Sequence, residues 1–146
     1  MDSAVAGGGE GVLVWCVMIA HTKEELRAVL AGRGMAGRRR VLVPTMGALH
    51  EGHVSLMRRA KELAGVDGVV VVSIFVNPIQ FDRADDLQNY PRPWEEDLEC
   101  CRALGVDVVF VPESGGMYEE DRSVLVTETR VSRGLCGAVR PGHFDG

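Results

Sequence analysis

Several features that mark large classes of protein are missing from this chain of 146 residues. Its formal net charge is −5, whereas nucleic-acid-binding surfaces are normally basic. The apolar run Val12–Ala20 has nine residues, which is too short to span a bilayer. The charges that precede it, Asp2 and Glu10, are acidic, whereas a secretory signal would have a basic start. We therefore expect a cytoplasmic protein with no membrane and no nucleic-acid partner.

Cysteine is scarce and is not spaced for metal binding. None of the four cysteines stands in a C-x-x-C pair, and no Cys or His lies at a usable spacing to complete a zinc site. We predict that the protein supplies no metal ligands and that its thiols are reduced, as in a reducing compartment. Cys136 has no evident base near it in the sequence, so we expect it to be inert.

Two nucleotide-binding signatures are also absent. The chain contains neither G-x-x-x-x-G-K-[ST] nor G-x-G-x-x-G. ATP hydrolysis by a P-loop mechanism and dinucleotide binding on a glycine-rich turn are therefore not supported. What the chain does have is an ordinary globular composition, with 46% hydrophobic and 25% charged residues. Its length is enough for one domain with a substantial core.

Apolar spacing predicts alternating helices and strands. Thr22 and Glu25 form a capping box ahead of a helix, and the almost wholly apolar stretch 69–76 is typical of a strand buried on both faces. The predicted elements are helix 23–31, strand 41–43, a helix from Val54 to Gly65, strand 69–76, helix 94–104, strand 106–111 and a short edge strand 124–127. This order favours an α/β, doubly wound (Rossmann-like), mostly parallel sheet.

The ends of the chain are expected to differ from its middle. Residues 1–17 include the run Gly7-Gly8-Gly9 and are predicted to be a disordered extension. We hypothesise that Met18 is the true start and opens the first strand. Residues 18–146 are then predicted to be a nucleotide-binding α/β domain.

The stretch from Val41 to Leu56 passes from a strand through a loop into a helix. Pro44 is expected to break the strand, and Gly47 and Gly52 allow close approach of a ligand to the backbone. The first N–H groups of a helix have no intrahelical partner, so such a junction favours an anion, usually phosphate. His50 and His53 are three residues apart and are predicted to face that anion together. The alternatives are a metal pair, which has no further ligands, and a pair that only packs.

A second polar loop, from Asn77 to Arg83, follows the next predicted strand. The segment Thr45–His53 is called the histidine loop below. Because the carboxyl ends of parallel strands share one edge of a sheet, we expect the two loops to meet there. Gln80 is a plausible substrate contact, whereas Asn77 before a proline is as readily a turn former. For the run Arg38–Arg40, a solvated turn is favoured over a phosphate contact.

Four sequence blocks carry a family resemblance. The stretch Pro44–His53 reads P-T-M-G-A-L-H-E-G-H, and Phe75–Phe81 reads F-V-N-P-I-Q-F. They are followed by D-L-x-x-Y-P at 86–91 and R-P-G-H-F-D-G at 140–146. These blocks, in this order, resemble the signatures of the pantothenate synthetase family within the H-x-G-H nucleotidylyltransferase superfamily. In that family, further segments and a smaller C-terminal domain follow the last block, so the resemblance implies a fold truncated before that domain.

The resemblance implies an ATP-dependent ligase. Pantoate and ATP would form pantoyl adenylate and pyrophosphate, and β-alanine would then displace AMP to give pantothenate. It also implies a homodimer and Mg²⁺ carried by the ATP phosphates. His53 is implied as proton donor, and His50 as a second catalytic residue that holds the phosphates. The implied ATP-binding residues are Met46, Gly47, Ala48, Leu49, His50, Glu51, Gly52 and His53. The implied pantoate and β-alanine contacts are Gln80, Thr45 and Asn77.

Two other functions stay open at this point. Another H-x-G-H nucleotidylyltransferase would consume ATP without pantoate. A non-catalytic fragment would bind ATP, or would pair with another subunit, without turnover.

Overall fold

The computed structural model describes residues 16–32, 34–118, 123–124, 126–140 and 142–145. Within these ranges, short helices alternate with strands in the first three quarters of the chain. Two 3-10 helices, Pro78–Gln80 and His143–Asp145, lie in the connecting loops. The other elements are β1 (Met18–Ala20), α1 (Lys23–Ala31), β2 (Arg40–Thr45), α2 (Glu51–Ala64), β3 (Val69–Ile74), α3 (Ala84–Gln88), α4 (Trp94–Ala103), β4 (Val108–Phe110), α5 (Ser114–Met117) and α6 (Cys136–Val139).

The four strands form one parallel sheet in the order β1-β4-β3-β2. β2 and β3 pair along their whole length, from Arg40 opposite Val69 to Thr45 opposite Ile74. The predicted α/β, Rossmann-like fold is confirmed. Because every strand runs the same way, all four carboxyl ends lie at one edge, which is where ligands bind in open sheets of this kind.

Helices cover both faces of the sheet, which explains why β3 is apolar on both sides. On one face, Val70 and Val72 pack with Met57 of α2 and with Cys101 of α4. On the other face, the alternate residues of β3 and β4 pack against α1 through Leu26, Val29 and Leu30. Successive side chains of a strand point to opposite faces, so a central strand with two covered faces must be apolar throughout.

Some predicted element boundaries were wrong. Pro44 does not end β2; it lies within it, because β2 is an edge strand and an edge position tolerates the missing N–H group. α2 begins at Glu51, three residues before the predicted Val54, because His50 caps it. β3 ends at Ile74, two residues earlier than predicted.

The predicted edge strand 124–127 was wrong, and α2 is not apolar only on its buried side, since its Leu56 and Leu63 are 53% and 44% exposed. No strand occurs at residues 124 or 126–127, which are irregular. The short helices α3 and α5 are not among the predicted elements, and α5 contains Gly115-Gly116.

The predicted extension 1–17 lies outside the described residues, apart from Cys16 and Val17. Val17 is buried in the core and therefore does not belong to an extension. Met18 does open a strand, as predicted, and its role as the true start stays a prediction. None of the helices in the described ranges has the length and apolar character needed to cross a bilayer.

Candidate functional site

The loops that follow β2 and β3 begin side by side at the carboxyl edge of the sheet. The N–H of Phe75 donates to the carbonyl of Thr45 at 3.0 Å, which ties the two strand ends together. The histidine loop and the Asn77 loop therefore leave the sheet from neighbouring points, as the sequence predicted.

Thr45 closes the end of β2 with its side chain. Its hydroxyl donates to the Ser73 carbonyl at 2.8 Å and accepts from the N–H of Gly47 at 3.2 Å. The residue is 8% exposed. Its hydroxyl is thus occupied in holding the two strand ends and the start of the loop, and its substrate contact stays a prediction.

The turn at Gly47 and Ala48 has left-handed backbone at two successive positions, with φ of 82° and 51°. The next N–H groups do not point freely outward. Those of Ala48 and Leu49 donate to the two carboxylate oxygens of Asp97 in α4, at 2.9 and 2.7 Å. The N–H groups of Ala48 and Leu49 are therefore not available to an anion.

The rings of His50 and His53 pack against each other in a tilted arrangement at the start of α2, with centroids 4.1 Å apart and an angle of 48° between their planes. Nδ1 of His50 accepts from the N–H of Gly52 at 3.1 Å, and Nδ1 of His53 accepts from the N–H of His50 at 3.2 Å. A backbone N–H can only donate, so both Nδ1 atoms lack a proton. In the neutral rings the proton is on Nε2, and each imidazole offers one N–H donor away from the backbone.

The electrostatics of the pair favour a neutral His53. Burial lowers the pKa of His53 below its usual 6.5, the neighbouring His50 lowers it further, and Asp97 opposes both. A neutral imidazole with its proton on Nε2 is a hydrogen-bond donor near neutral pH. Since both rings stand at the positive end of the α2 dipole, the arrangement suits a phosphate oxygen.

The Asn77 loop is organised around the side chain of Asn77, which is 6% exposed. Its Oδ1 accepts from the N–H of Ile79 at 3.2 Å and from the hydroxyl of Tyr118 at 3.0 Å. These bonds fix the orientation of the amide, so its nitrogen is the atom left to meet a ligand.

Gln80 ends the 3-10 helix and is half-buried. Its carbonyl accepts from Nδ1 of His143 at 2.8 Å. The R-P-G-H-F segment is thereby held against the F-V-N-P-I-Q-F segment, 63 positions earlier in the chain. Two of the four sequence blocks therefore meet in space.

A cleft of about 550 Å³ opens at the same sheet edge. Its walls are largely apolar and include Phe75, Val76 and Trp94, with Arg92, Asp97 and Glu113 as charged groups. Of the predicted site residues, only Met46 and Gly47 line it. His50, His53 and Gln80 lie outside its walls. The candidate site therefore has two parts, which are this cleft and the paired imidazoles of His50 and His53.

Sequence reasoning missed three residues that shape the site: Asp97, Tyr118 and His143. Two of them left a signal: His143 lies in the R-P-G-H-F-D-G block, and the second is Asp97. It falls within the apolar stripe Trp94, Leu98 and Cys101 of α4, where a buried carboxylate needs a partner. Within the described residues, no three His, Cys, Asp or Glu side chains are grouped to hold a metal ion.

The chain matches known proteins along most of its length. The family model described as Pantoate-beta-alanine ligase matches residues 18–146. The pantothenate synthetase of Akkermansia muciniphila is 57% identical over 125 residues, which are 86% of this chain and 44% of the relative. That of Saccharopolyspora erythraea is 46% identical over 140 residues, 96% of this chain and 46% of the relative.

A solved structure gives the same assignment. The pantoate-beta-alanine ligase from Francisella tularensis, complexed with beta-gamma ATP and beta-alanine, superposes with a TM-score of 0.78 and 36% identity. The match covers 90% of this chain and 49% of that one. The chain thus spans less than half the length of these curated relatives. Since the family model covers all but the first 17 residues, this chain belongs to the pantoate-beta-alanine ligase family.

Proposed function

We propose that this chain provides the ATP-binding part of a ligase that joins pantoate to β-alanine through a pantoyl adenylate. The observation that carries the proposal is the His50–His53 pair, with both Nδ1 atoms occupied by backbone N–H groups and both Nε2–H groups turned away. Family membership supports the substrates, and the Francisella relative was solved with an ATP form and β-alanine.

In the first step, a carboxylate oxygen of pantoate bonds to the α-phosphorus of ATP, and the bond from that phosphorus to the pyrophosphate oxygen breaks. Negative charge grows on the phosphate oxygens and on the leaving pyrophosphate. The Nε2–H groups of His50 and His53, at a helix N-terminus, would stabilise that charge in place. In this proposal His53 acts mainly as a hydrogen-bond donor, because its lowered pKa keeps the ring neutral.

In the second step, the amine of β-alanine attacks the acyl carbon of the adenylate, and AMP leaves with the electron pair of the broken C–O bond. The amide nitrogen of Asn77 and the side chain of Gln80 are the proposed contacts for the organic substrates. The held orientation of Asn77 supports its role as a donor, which suits a carboxylate or hydroxyl oxygen.

Magnesium would reach the site with ATP. The described residues offer no group of metal ligands, so phosphate oxygens and water would hold the ion. A homodimer, which the family resemblance implies, and a cytoplasmic location, which is the expectation from the sequence, are part of the same proposal.

The deciding experiment measures ATP binding by calorimetry and pyrophosphate release from ATP, with and without pantoate. Pantoate-dependent release is the expected result if these residues suffice for the first step. ATP binding with no release would support the non-catalytic alternative, and release without pantoate would support a different nucleotidylyltransferase. Absence of ATP binding would refute the proposal for this chain.

A matched pair of histidine variants localises the effect. We expect His53→Ala to weaken ATP binding, and in a complete enzyme to slow adenylation by about a hundredfold or more. His21→Ala serves as the control, since His21 is exposed, lies just before α1 and contacts neither histidine of the pair; its Nδ1 bonds the Val111 carbonyl.

A further inference from the structure

We propose that Asp97 is a positioning residue that holds the histidine loop in its ligand-binding conformation. Its carboxylate accepts from two consecutive backbone N–H groups, Oδ2 from Ala48 and Oδ1 from Leu49, at 2.9 and 2.7 Å. These residues stand 49 and 48 positions before it in the chain. The proposal deepens the proposed function, because the loop leads directly into His50.

The burial of Asp97 supports a specific task. The residue is 3% exposed and sits in the apolar stripe of α4, where Leu98 and Cys101 fill the core. A carboxylate buried there loses its hydration, and its two hydrogen bonds to the loop replace that hydration. An apolar residue at this position would leave the N–H groups of Ala48 and Leu49 without an acceptor.

The loop conformation needs external support. Gly47 and Ala48 both have left-handed backbone, and Ala48 carries a side chain that disfavours it. At Gly47 an added Cβ would stand 3.0 Å from Oδ2 of Asp97, so the carboxylate lies directly against the turn. The hydrogen bonds from the loop to Asp97 of α4 hold the turn in this conformation.

The orientation of the histidine pair depends on the conformation of the turn at Gly47 and Ala48. His50 follows Leu49 directly, and its backbone N–H donates to Nδ1 of His53. A shift of Leu49 therefore moves the donor that sets the orientation of His53. The charge of Asp97 also acts on the pair, since it opposes the lowering of the His53 pKa.

The test compares Asp97→Asn with Glu96→Gln, an exposed neighbour in the same helix that loses the same charge. In Asp97→Asn, one oxygen becomes an NH₂ group that cannot accept from the backbone. We expect the Ala48 and Leu49 amides to lose most of their protection from hydrogen exchange. We also expect the NMR-titrated pKa of His53 to fall and ATP affinity to drop by roughly tenfold or more. Glu96→Gln should leave loop protection and ATP affinity as they are.

A folded Asp97→Asn protein with unchanged loop protection and unchanged histidine titrations would overturn the proposal. If Asp97→Asn does not fold, the unsubstituted chain still decides, because unprotected amides at Ala48 and Leu49 would exclude the two bonds. Gly47→Ala is a second variant, since its Cβ would stand 3.0 Å from Oδ2 of Asp97 and from Cγ2 of Ile74, and it should shift the same amide and histidine signals. Failure of the unsubstituted chain to bind ATP would count against the proposed function alone, while the amide and histidine signals still test Asp97.

Discussion

At the scale of single residues, the position of the His50 ring depends on the absence of a side chain two residues later. A Cβ on Gly52 would stand 2.8 Å from Cε1 and 3.0 Å from Nδ1 of His50. These distances are shorter than ordinary carbon contacts, so the imidazole would have to leave its place. Gly52 therefore leaves room for the imidazole of His50. The N–H group of Gly52 also donates to Nδ1 of that ring.

Gly52→Ala separates ligand binding from stability. Alanine favours a helix by about 1 kcal/mol over glycine, which offsets part of the clash and of the lost hydrogen bond. We expect the free energy of unfolding to change by only about 1 kcal/mol, while ATP affinity falls about tenfold as His50 is displaced. Urea denaturation and calorimetry measure the two quantities. Gly115→Ala is the matched control, since nothing lies within 4 Å of its added Cβ; equal ATP affinity in both variants would contradict this account.

His53 makes the stability of the protein depend on pH. Its pKa is lowered in the folded state, first by burial and then by His50, so the unfolded chain binds a proton more readily. The free energy of unfolding should therefore decrease as pH falls from the unfolded value of 6.5 through the lower folded value. NMR titration of the His53 ring and urea denaturation between pH 5 and 7 test this, with His53→Gln as the comparison. An equally steep loss of stability in His53→Gln would exclude His53 as its source.

At the scale of elements, the sequence predicted those structures whose signals are local. The capping box appears at α1, where Oγ1 of Thr22 accepts from the N–H of Glu25 at 3.1 Å. Its second half differs, because the Glu25 carboxylate bonds the N–H of His21 instead. The start of α2 was misplaced since histidine is not a common capping residue, and a proline in the edge strand β2 was mistaken for its end.

The parts of the site that the sequence did not reveal depend on contacts between distant positions. The motif residues around His50 and Gln80 are recognisable because their spacing is local. The bonds of Asp97 to the loop, of Tyr118 to Asn77 and of His143 to Gln80 join residues 41 to 63 positions apart. The tertiary arrangement of the sheet and its loops brings those segments together, and a single sequence carries no direct sign of that arrangement.

Asp107 links β3 to α2 at the edge of the sheet that lies opposite the ligand-binding loops. Its Oδ2 accepts from the N–H of Val70 at 2.8 Å and lies 3.5 Å from Nζ of Lys61. Asp107→Ala leaves a buried strand N–H without an acceptor, so we expect the free energy of unfolding to fall by about 1–3 kcal/mol. Urea denaturation measures this. Asp67→Ala, at an exposed turn, is the control and should change stability by less than about 0.5 kcal/mol; a similar small effect at Asp107 would show that water replaces its bond.

At the scale of the whole molecule, one helix, α4, connects the histidine loop, the cleft and the core. α4 contributes Asp97 to the loop, Trp94 to the cleft and Cys101 to the core beside Met57 of α2. Opening of this helix would therefore disturb the core and the loop together. Ligand binding at the loop should in turn stabilise the core, since a ligand that binds only the folded state shifts the unfolding equilibrium.

Cys101 reports that coupling through its reactivity. It is fully buried, and burial, then Cys100 and Asp97, raise the pKa of its thiol to about 12. We expect iodoacetamide at pH 8 to label Cys101 roughly a thousandfold or more slowly than the exposed Cys136, because the chain must first unfold around it.

ATP at about ten times its dissociation constant should slow Cys101 labelling a further elevenfold or so, and should leave the labelling rate of Cys136 unchanged. Mass spectrometry of timed samples follows both sites. If ATP binds but Cys101 labelling keeps its rate, labelling occurs by a local opening of α4 that the nucleotide does not oppose, and the loop and the core are independent.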